Sequence, residues 1–278
     1  MVTVIRYGLG TFATLGVRAA RGGLIFSTLL STLLSTLTCP LFPALALRAQ
    51  EPPPDLTRRV AERESANAEA RAHYAYRQEV LIEELPGRGQ PAGRYQETRD
   101  VIFSPLGERT ERSIGQAQST LRQLQLTAED FDDIRNIQPI LLTPELLPRY
   151  EVRYRGDETV DGRDCWVLQV RPKQILQGMR LFDGTLWAEK KGLNIVRLEG
   201  QAVPPVYARV GGQLSENLFP HFATTRTELD GHWFPTLTLA DDTLPFRAGA
   251  LRVRMTIRYR DYKRFGAESK ITYEEPKQ

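Results

Sequence analysis

The chain has 278 residues, with 37 basic and 34 acidic side chains and two cysteines. That length allows one large domain or two small ones. Its formal charge of +3 comes from the N-terminal segment: residues 1–49 hold Arg6, Arg18, Arg21 and Arg48 and no acid, so 33 basic groups face 34 acidic ones in the remainder. A near-neutral remainder gives no reason to expect a nucleic-acid partner.

The N-terminal segment reads as a targeting signal. It starts basic, runs uncharged from Gly22 to Leu47, and ends in the small-residue exit Ala44-Leu45-Ala46-Leu47-Arg48-Ala49. This is the secretory pattern, with cleavage expected after Ala49. The alternative is an uncleaved membrane anchor over residues 22–47, since about 20 apolar residues span a bilayer. Pro40 and Pro43 and the many Ser and Thr residues weigh against a stable span. Cys39 sits in Leu37-Thr38-Cys39-Pro40, a poor lipid-attachment sequence. The expected organisation is a signal peptide over 1–49, a flexible proline-rich lead over 50–54, and one domain over 55–278. Only Cys165 remains after cleavage. Export without an internal disulfide fits a bacterial envelope protein, and a domain of this size buries enough apolar area to stand without one.

Asp55 looks like an N-cap, and Leu56 to Arg71 reads as a polar helix that packs by one thin stripe. The period then changes to two. Tyr74, Tyr76, Val80 and Ile82 fall on alternate positions, and the turn cluster 86–93 leads to a returning strand from Tyr95 to Phe103. Another strand is expected over Glu108–Ile114. Gln116–Gln125 reads as helical. Thr127 caps a second helix, with Asp130 three residues on and Phe131, Ile134 and Ile137 on its apolar face. The apolar stretch 140–147, punctuated by Pro139, Pro144 and Pro148, reads as a covering loop.

From Tyr150 onward the chain is nearly all strand and turn. Asp161-Gly162 and Asp230-Gly231 stand between alternating apolar runs, a strong hairpin signal. The cleanest strand is Leu251–Tyr259, with Leu251, Val253, Met255 and Ile257 on one face and arginines on the other. The arginine row reads as a solvated face. A short last strand is expected at Lys270–Tyr273. The connections are too short for helical crossovers, so the sheet is expected to be antiparallel. The predicted fold class is α+β: a curved antiparallel sheet forming an open half-barrel covered by a few helices.

Several phrases in this order resemble the periplasmic lipoprotein carriers of the LolA/LolB type, the outer membrane lipoprotein-sorting group. Tyr154 to Lys173, with its Asp161-Gly162 turn and its Pro172-Lys173 end, is similar to one hairpin of that group. Gly184-Thr185-Leu186-Trp187-Ala188-Glu189, followed by Leu193 to Gly200, is similar to the next. The ending Tyr259 to Gly266 is similar to its tails. The turns at 86–93 and 201–217 have no counterpart there. The resemblance implies an unclosed barrel around an apolar cavity that accepts acyl chains. It also implies a periplasmic binder or carrier, with lipid or lipoprotein acyl chains as partners and transient membrane contact. The residues expected to line that interior are Tyr74, Tyr76, Val80, Ile82, Trp166, Trp187, Trp233, Leu251, Val253, Met255 and Ile257.

The chemistry-bearing residues are few. There is no H-E-x-x-H, C-x-x-C or G-x-S-x-G sequence. Cys165 reads as a buried structural cysteine. No cofactor is expected, and the reading is non-catalytic. Two alternatives stay open. One is a structural or sensory envelope module that binds a protein partner through its surface. The other is a metal-dependent hydrolase in which His221 and His232 approach each other on one hairpin, with Asp230, Asp241 or Asp242 completing a site.

Overall fold

A computed structural model describes residues 51–87, 90–104, 108–136, 142–175, 179–204, 208–210, 213–215, 221–246 and 249–265. The expected signal peptide or anchor, Cys39, Ile137 and the strand at Lys270–Tyr273 lie outside the described residues. No helix among the described residues is long and apolar enough to cross a membrane.

Helix α1 spans Leu56–Arg71, and its buried residues Leu56, Val60, Ala61, Glu64 and Asn67 form the single stripe that its polar sequence allows. Strands β1 (Tyr74–Leu85), β2 (Gly93–Phe103) and β3 (Arg109–Ser113) follow as a meander, and β4 (Gln118–Ser119) returns to pair with β2. Helix α2 (Ala128–Asn136) and one 3-10 turn (Leu147–Arg149) precede β5 (Tyr150–Val160) and β6 (Arg163–Pro172). Then come β7 (Leu181–Glu189), β8 (Ile195–Val203), the small pair β9 (Ala208–Val210) and β10 (Gln213–Ser215), β11 (Phe222–Leu229), β12 (His232–Phe246) and β13 (Gly249–Arg264).

Eleven of these strands form one antiparallel sheet in the order β3-β2-β1-β13-β12-β11-β8-β7-β6-β5, with β4 beside β2. The Asp-Gly turns behave as the sequence predicts. Asp161 and Gly162 have φ of 48° and 76°, and Asp230 and Gly231 have 52° and 78°. Two consecutive positive φ values match the twist of the flanking strands. Among the described residues the sheet is not closed, and β3 and β5 are its free edges. On β5 the register slips between Tyr154 and Gly156, where Gly156 has φ of 125°.

The chain's first strand pairs with its last. Val80 stands opposite Ile257 and Ile82 opposite Met255, so the apolar rows of β1 and β13 share one face. That face carries the main core, from Tyr95 on β2 to Trp166, Leu168 and Val170 on β6. The sheet also curls. Side chains of β5, β6, β7, β8 and β11 all line one small void, yet β5 and β11 would stand about 19 Å apart in a flat sheet.

One expected helix is not formed. Residues 116–125 hold β4 and a turn instead. The carboxylate of Glu84, fully buried at the end of β1, accepts the backbone N–H groups of Arg122, Gln123 and Leu124 at 2.7–3.0 Å. Those donors face a charged acceptor rather than carbonyls of the preceding turn, and Leu124 is drawn into the core. Helix α2 forms as read. Thr127 Oγ1 accepts the Asp130 N–H at 3.3 Å, and Asp130 Oδ2 accepts the Thr127 N–H at 2.8 Å, a reciprocal cap.

Gly184 and Gly200 face each other across β7 and β8. A Cβ at Gly184 would stand 2.3 Å from the Glu199 carbonyl oxygen and 2.5 Å from the Phe182 ring. The pair lets Phe182 lie flat over the strands. Gly184→Ala is expected to lose about 1–3 kcal/mol from overpacking, read as a lower urea midpoint at unchanged slope.

Candidate functional site

The covered face of the sheet is the candidate site. Val80, Ile82, Trp166, Leu251, Val253, Met255 and Ile257 are all buried in its core cluster. Tyr76 packs against that cluster, with its ring 6.0 Å from Tyr259 and 5.3 Å from Tyr262. Tyr74 is buried beside Phe234 at 4.7 Å, and its hydroxyl donates to Asp230 at 2.7 Å. Trp187 and Trp233 are brought together elsewhere, in a second cluster with Cys165 and Val196. Strand alternation accounts for this. On β6, Cys165 and Trp166 point to opposite faces, and Trp187 stands opposite Val167 rather than Trp166.

Two pieces cover the trough. Leu124, Ile134 and Leu142 enter the core from the segment between β4 and β5. Helix α1 supplies Leu56, Val60 and Ala61. Among the described residues a void of about 10 Å³ is lined by Leu142, Tyr150, Val170, Phe182, Leu186, Ile195, Leu198 and Arg226. A void of that measure holds at most one water.

The attachment of α1 is largely polar. Glu64 is buried and accepts hydrogen bonds from Arg226 of β11 at 2.6 Å and from Arg71 at 2.8 Å. Arg71 also donates to the Trp233 carbonyl at 2.9 Å. The Asn67 amide donates to Asn194 at 2.9 Å and accepts the Trp233 N–H at 3.2 Å. Beside Arg226 runs a buried hydroxyl row, Thr224 to Thr238 at 2.8 Å and Thr238 to Tyr259 at 3.3 Å. Sequence reading missed Glu64 and Arg226. The signal was present: Glu64 falls on the Leu56–Val60 stripe, and Arg226 falls on the same alternation as Phe222 and Thr224. A charge on an otherwise inward stripe marks a buried pair.

Burial pushes the Glu64 carboxyl up, but Arg226 and Arg71 outweigh it and hold the group below the usual carboxylate range. Burial lowers Arg226 as well, which stays protonated. A carboxyl whose folded value is depressed stabilises the fold above its unfolded value. That contribution is lost as pH falls through the lowered folded value. Removing one partner of a buried pair strands the other. Glu64→Gln and Arg226→Met are each expected to cost about 3–5 kcal/mol. Glu64→Gln should also flatten the acid limb of a stability–pH profile below about pH 4. Urea melts across that range check both outcomes.

The residues of the hydrolase alternative are kept apart. Leu229 pairs with His232 at the turn, whereas His221 precedes Phe222 at the far end of the hairpin, beside Asp242. The two histidines are separated along the strands by roughly 25 Å or more, which corrects the expectation that they approach. Asp241 is held by Arg252 and Arg254, and Asp230 by Tyr74. Among the described residues no group of three or more His, Cys, Asp or Glu is arranged to hold a metal. The Cys165 thiol is buried, and burial pushes it up to about 11. A thiol held protonated is a poor nucleophile.

No protein-family model matches the sequence, and no curated protein does. Similar solved structures do exist. A putative outer membrane lipoprotein-sorting protein domain from Vibrio parahaemolyticus is 12% identical with a TM-score of 0.38, over 76% of this chain and 93% of that one. A DUF1329 family protein from Desulfovibrio piger is 14% identical with a TM-score of 0.33, over 76% and 95%. A LolA superfamily protein from Nitrosomonas europaea is 14% identical with a TM-score of 0.32, over 77% and 98%.

Proposed function

We propose that the protein binds the acyl chains of a lipid or a lipidated protein outside the cytoplasm, in a trough that opens when its cover is displaced. One observation carries this reading: an extended apolar sheet face is covered by a helix that buries only Leu56, Val60 and Ala61 as apolar residues and is otherwise seated through Glu64 and Asn67. Polar seats exchange for water at small net cost when they open to solvent, since each such bond contributes only about 1 kcal/mol net. The apolar face beneath does not, and an acyl chain is a suitable substitute for the cover. The role is non-catalytic, that of a binder or carrier. Reading residues 1–49 as a cleaved export signal supports a periplasmic location, with residues 22–47 as a membrane anchor the alternative.

The close packing of Val80, Ile82, Trp166 and the β13 row in one core cluster favours a second reading, an envelope module that binds a protein partner through its surface. Chain length separates the two. Each buried methylene contributes about 0.8 kcal/mol, so affinity for octanoate, decanoate and laurate should rise roughly fourfold per carbon. Competition against a fluorescent acyl probe on residues 50–278 measures this. A series with no dependence on chain length, or no probe uptake, would sink the acyl-chain reading and favour the surface module.

A further inference from the structure

A second cavity lies at the end of the sheet where the β5–β6, β7–β8 and β11–β12 turns gather under α1. It is a polar cleft of about 650 Å³ and shares no lining residue with the apolar void. Its volume lies within the usual range of small-molecule sites. Cations enter it from three separate elements: Arg63 on α1, Arg163 at the start of β6, and Lys191 in the β7–β8 turn. Among the described residues none of the three forms an ion pair. Arg63 uses only its Nε, which donates to the Gly192 carbonyl at 3.2 Å. The Arg163 guanidinium lies over the Trp233 ring, 5.2 Å from its centroid. Their neighbour Lys190, in contrast, is neutralised by Asp157 at 2.7 Å.

The acids of the cleft differ in their hydrogen bonds, not in ion pairing. Glu189 accepts the Asn194 amide at 2.7 Å, and Asp164 accepts the Thr159 hydroxyl at 3.1 Å. Glu228 is exposed on the rim and makes no such bond among the described residues. The floor is fixed by the buried relay from the Trp233 N–H through Asn67 to Asn194. A guanidinium stacked on an indole keeps its N–H edge free and oriented for a bidentate acceptor. The cleft thus sets three cations that form no ion pair beside three acids, of which Glu228 alone has no hydrogen-bond partner among the described residues.

We propose that this cleft binds a zwitterionic group, an oxyanion at Arg63, Arg163 and Lys191 with an ammonium close enough to reach Glu228. The group is the same whether it arrives as a soluble compound or as a lipid head group. The site is independent of the acyl-chain trough.

Intrinsic tryptophan fluorescence of residues 50–278, titrated with phosphoethanolamine and with inorganic phosphate, tests the proposal. Phosphoethanolamine should saturate the response in the millimolar range or below and bind more tightly than inorganic phosphate. Arg163→Gln with Lys191→Gln should weaken it by about tenfold or more, the scale of losing charge-assisted hydrogen bonds. Glu228→Gln should erase the advantage over inorganic phosphate. All three side chains are exposed, and circular dichroism confirms that the variants fold. Flotation with phosphatidylethanolamine vesicles that is lost in the double variant assigns the group to a lipid. Saturation by the free compound without flotation assigns it to a soluble ligand. No saturable response, or one unchanged in the double variant, overturns the proposal, whatever the acyl-chain series shows.

Discussion

The pairing of β1 with β13 is the constraint on which the rest of the structure depends. It joins residues about as far apart in the chain as the described domain allows, and it runs from Tyr74–Arg264 to Leu85–Arg252. Without it the N-terminal meander and the C-terminal hairpins would be two small sheets, each with an uncovered apolar face. With it they form one surface, and α1, which leads directly into β1, is set over β11 and β12. Such a contact is non-local, and the entropy of closing that loop must be met before it stabilises anything. Folding of this chain is therefore expected to complete only when its last strand is available.

On that surface the division between apolar and polar is uneven. The region between β5 and β8 is lined mostly by aliphatic and aromatic side chains. The region beneath α1 is crossed by Glu64, Arg71, Arg226 and the hydroxyl row. Buried charges seldom add net stability over an apolar packing of the same volume. They do fix geometry. Glu64 reaches Arg226, Asn67 reaches Asn194 and Trp233, and the helix has one seat. The same relay that seats α1 also forms the floor of the polar cleft, so the position of the helix and the shape of the cleft are set by shared hydrogen bonds.

The hairpins were legible because their signals are local. Asp161-Gly162 and Asp230-Gly231 dictate their turns, and the alternation of Leu251 to Tyr259 fixes a face. Helix α1 was legible to the residue, because a polar sequence with one stripe has few other solutions. Residues 116–125 were misread because the group that captures their N–H donors, Glu84, lies some forty residues earlier. The β1–β13 pairing was invisible for the same reason. The β9–β10 pair fell inside what looked like a long turn. For the site, the row of Val80, Ile82 and Leu251 to Ile257 could be read from periodicity. Trp187 and Trp233 could not be assigned a face, because that depends on which residue of the neighbouring strand each stands opposite.

The free edges at β3 and β5 carry one more consequence. In a closed barrel the strand number, stagger and tilt fix the radius together, so the interior cannot widen without breaking ladder hydrogen bonds. A sheet with two unpaired edges is released from that condition. Its curvature can relax through a few degrees of added or lost twist at each strand pair while every backbone bond stays made. How far such a sheet can open is a property of its bend rather than of its side chains.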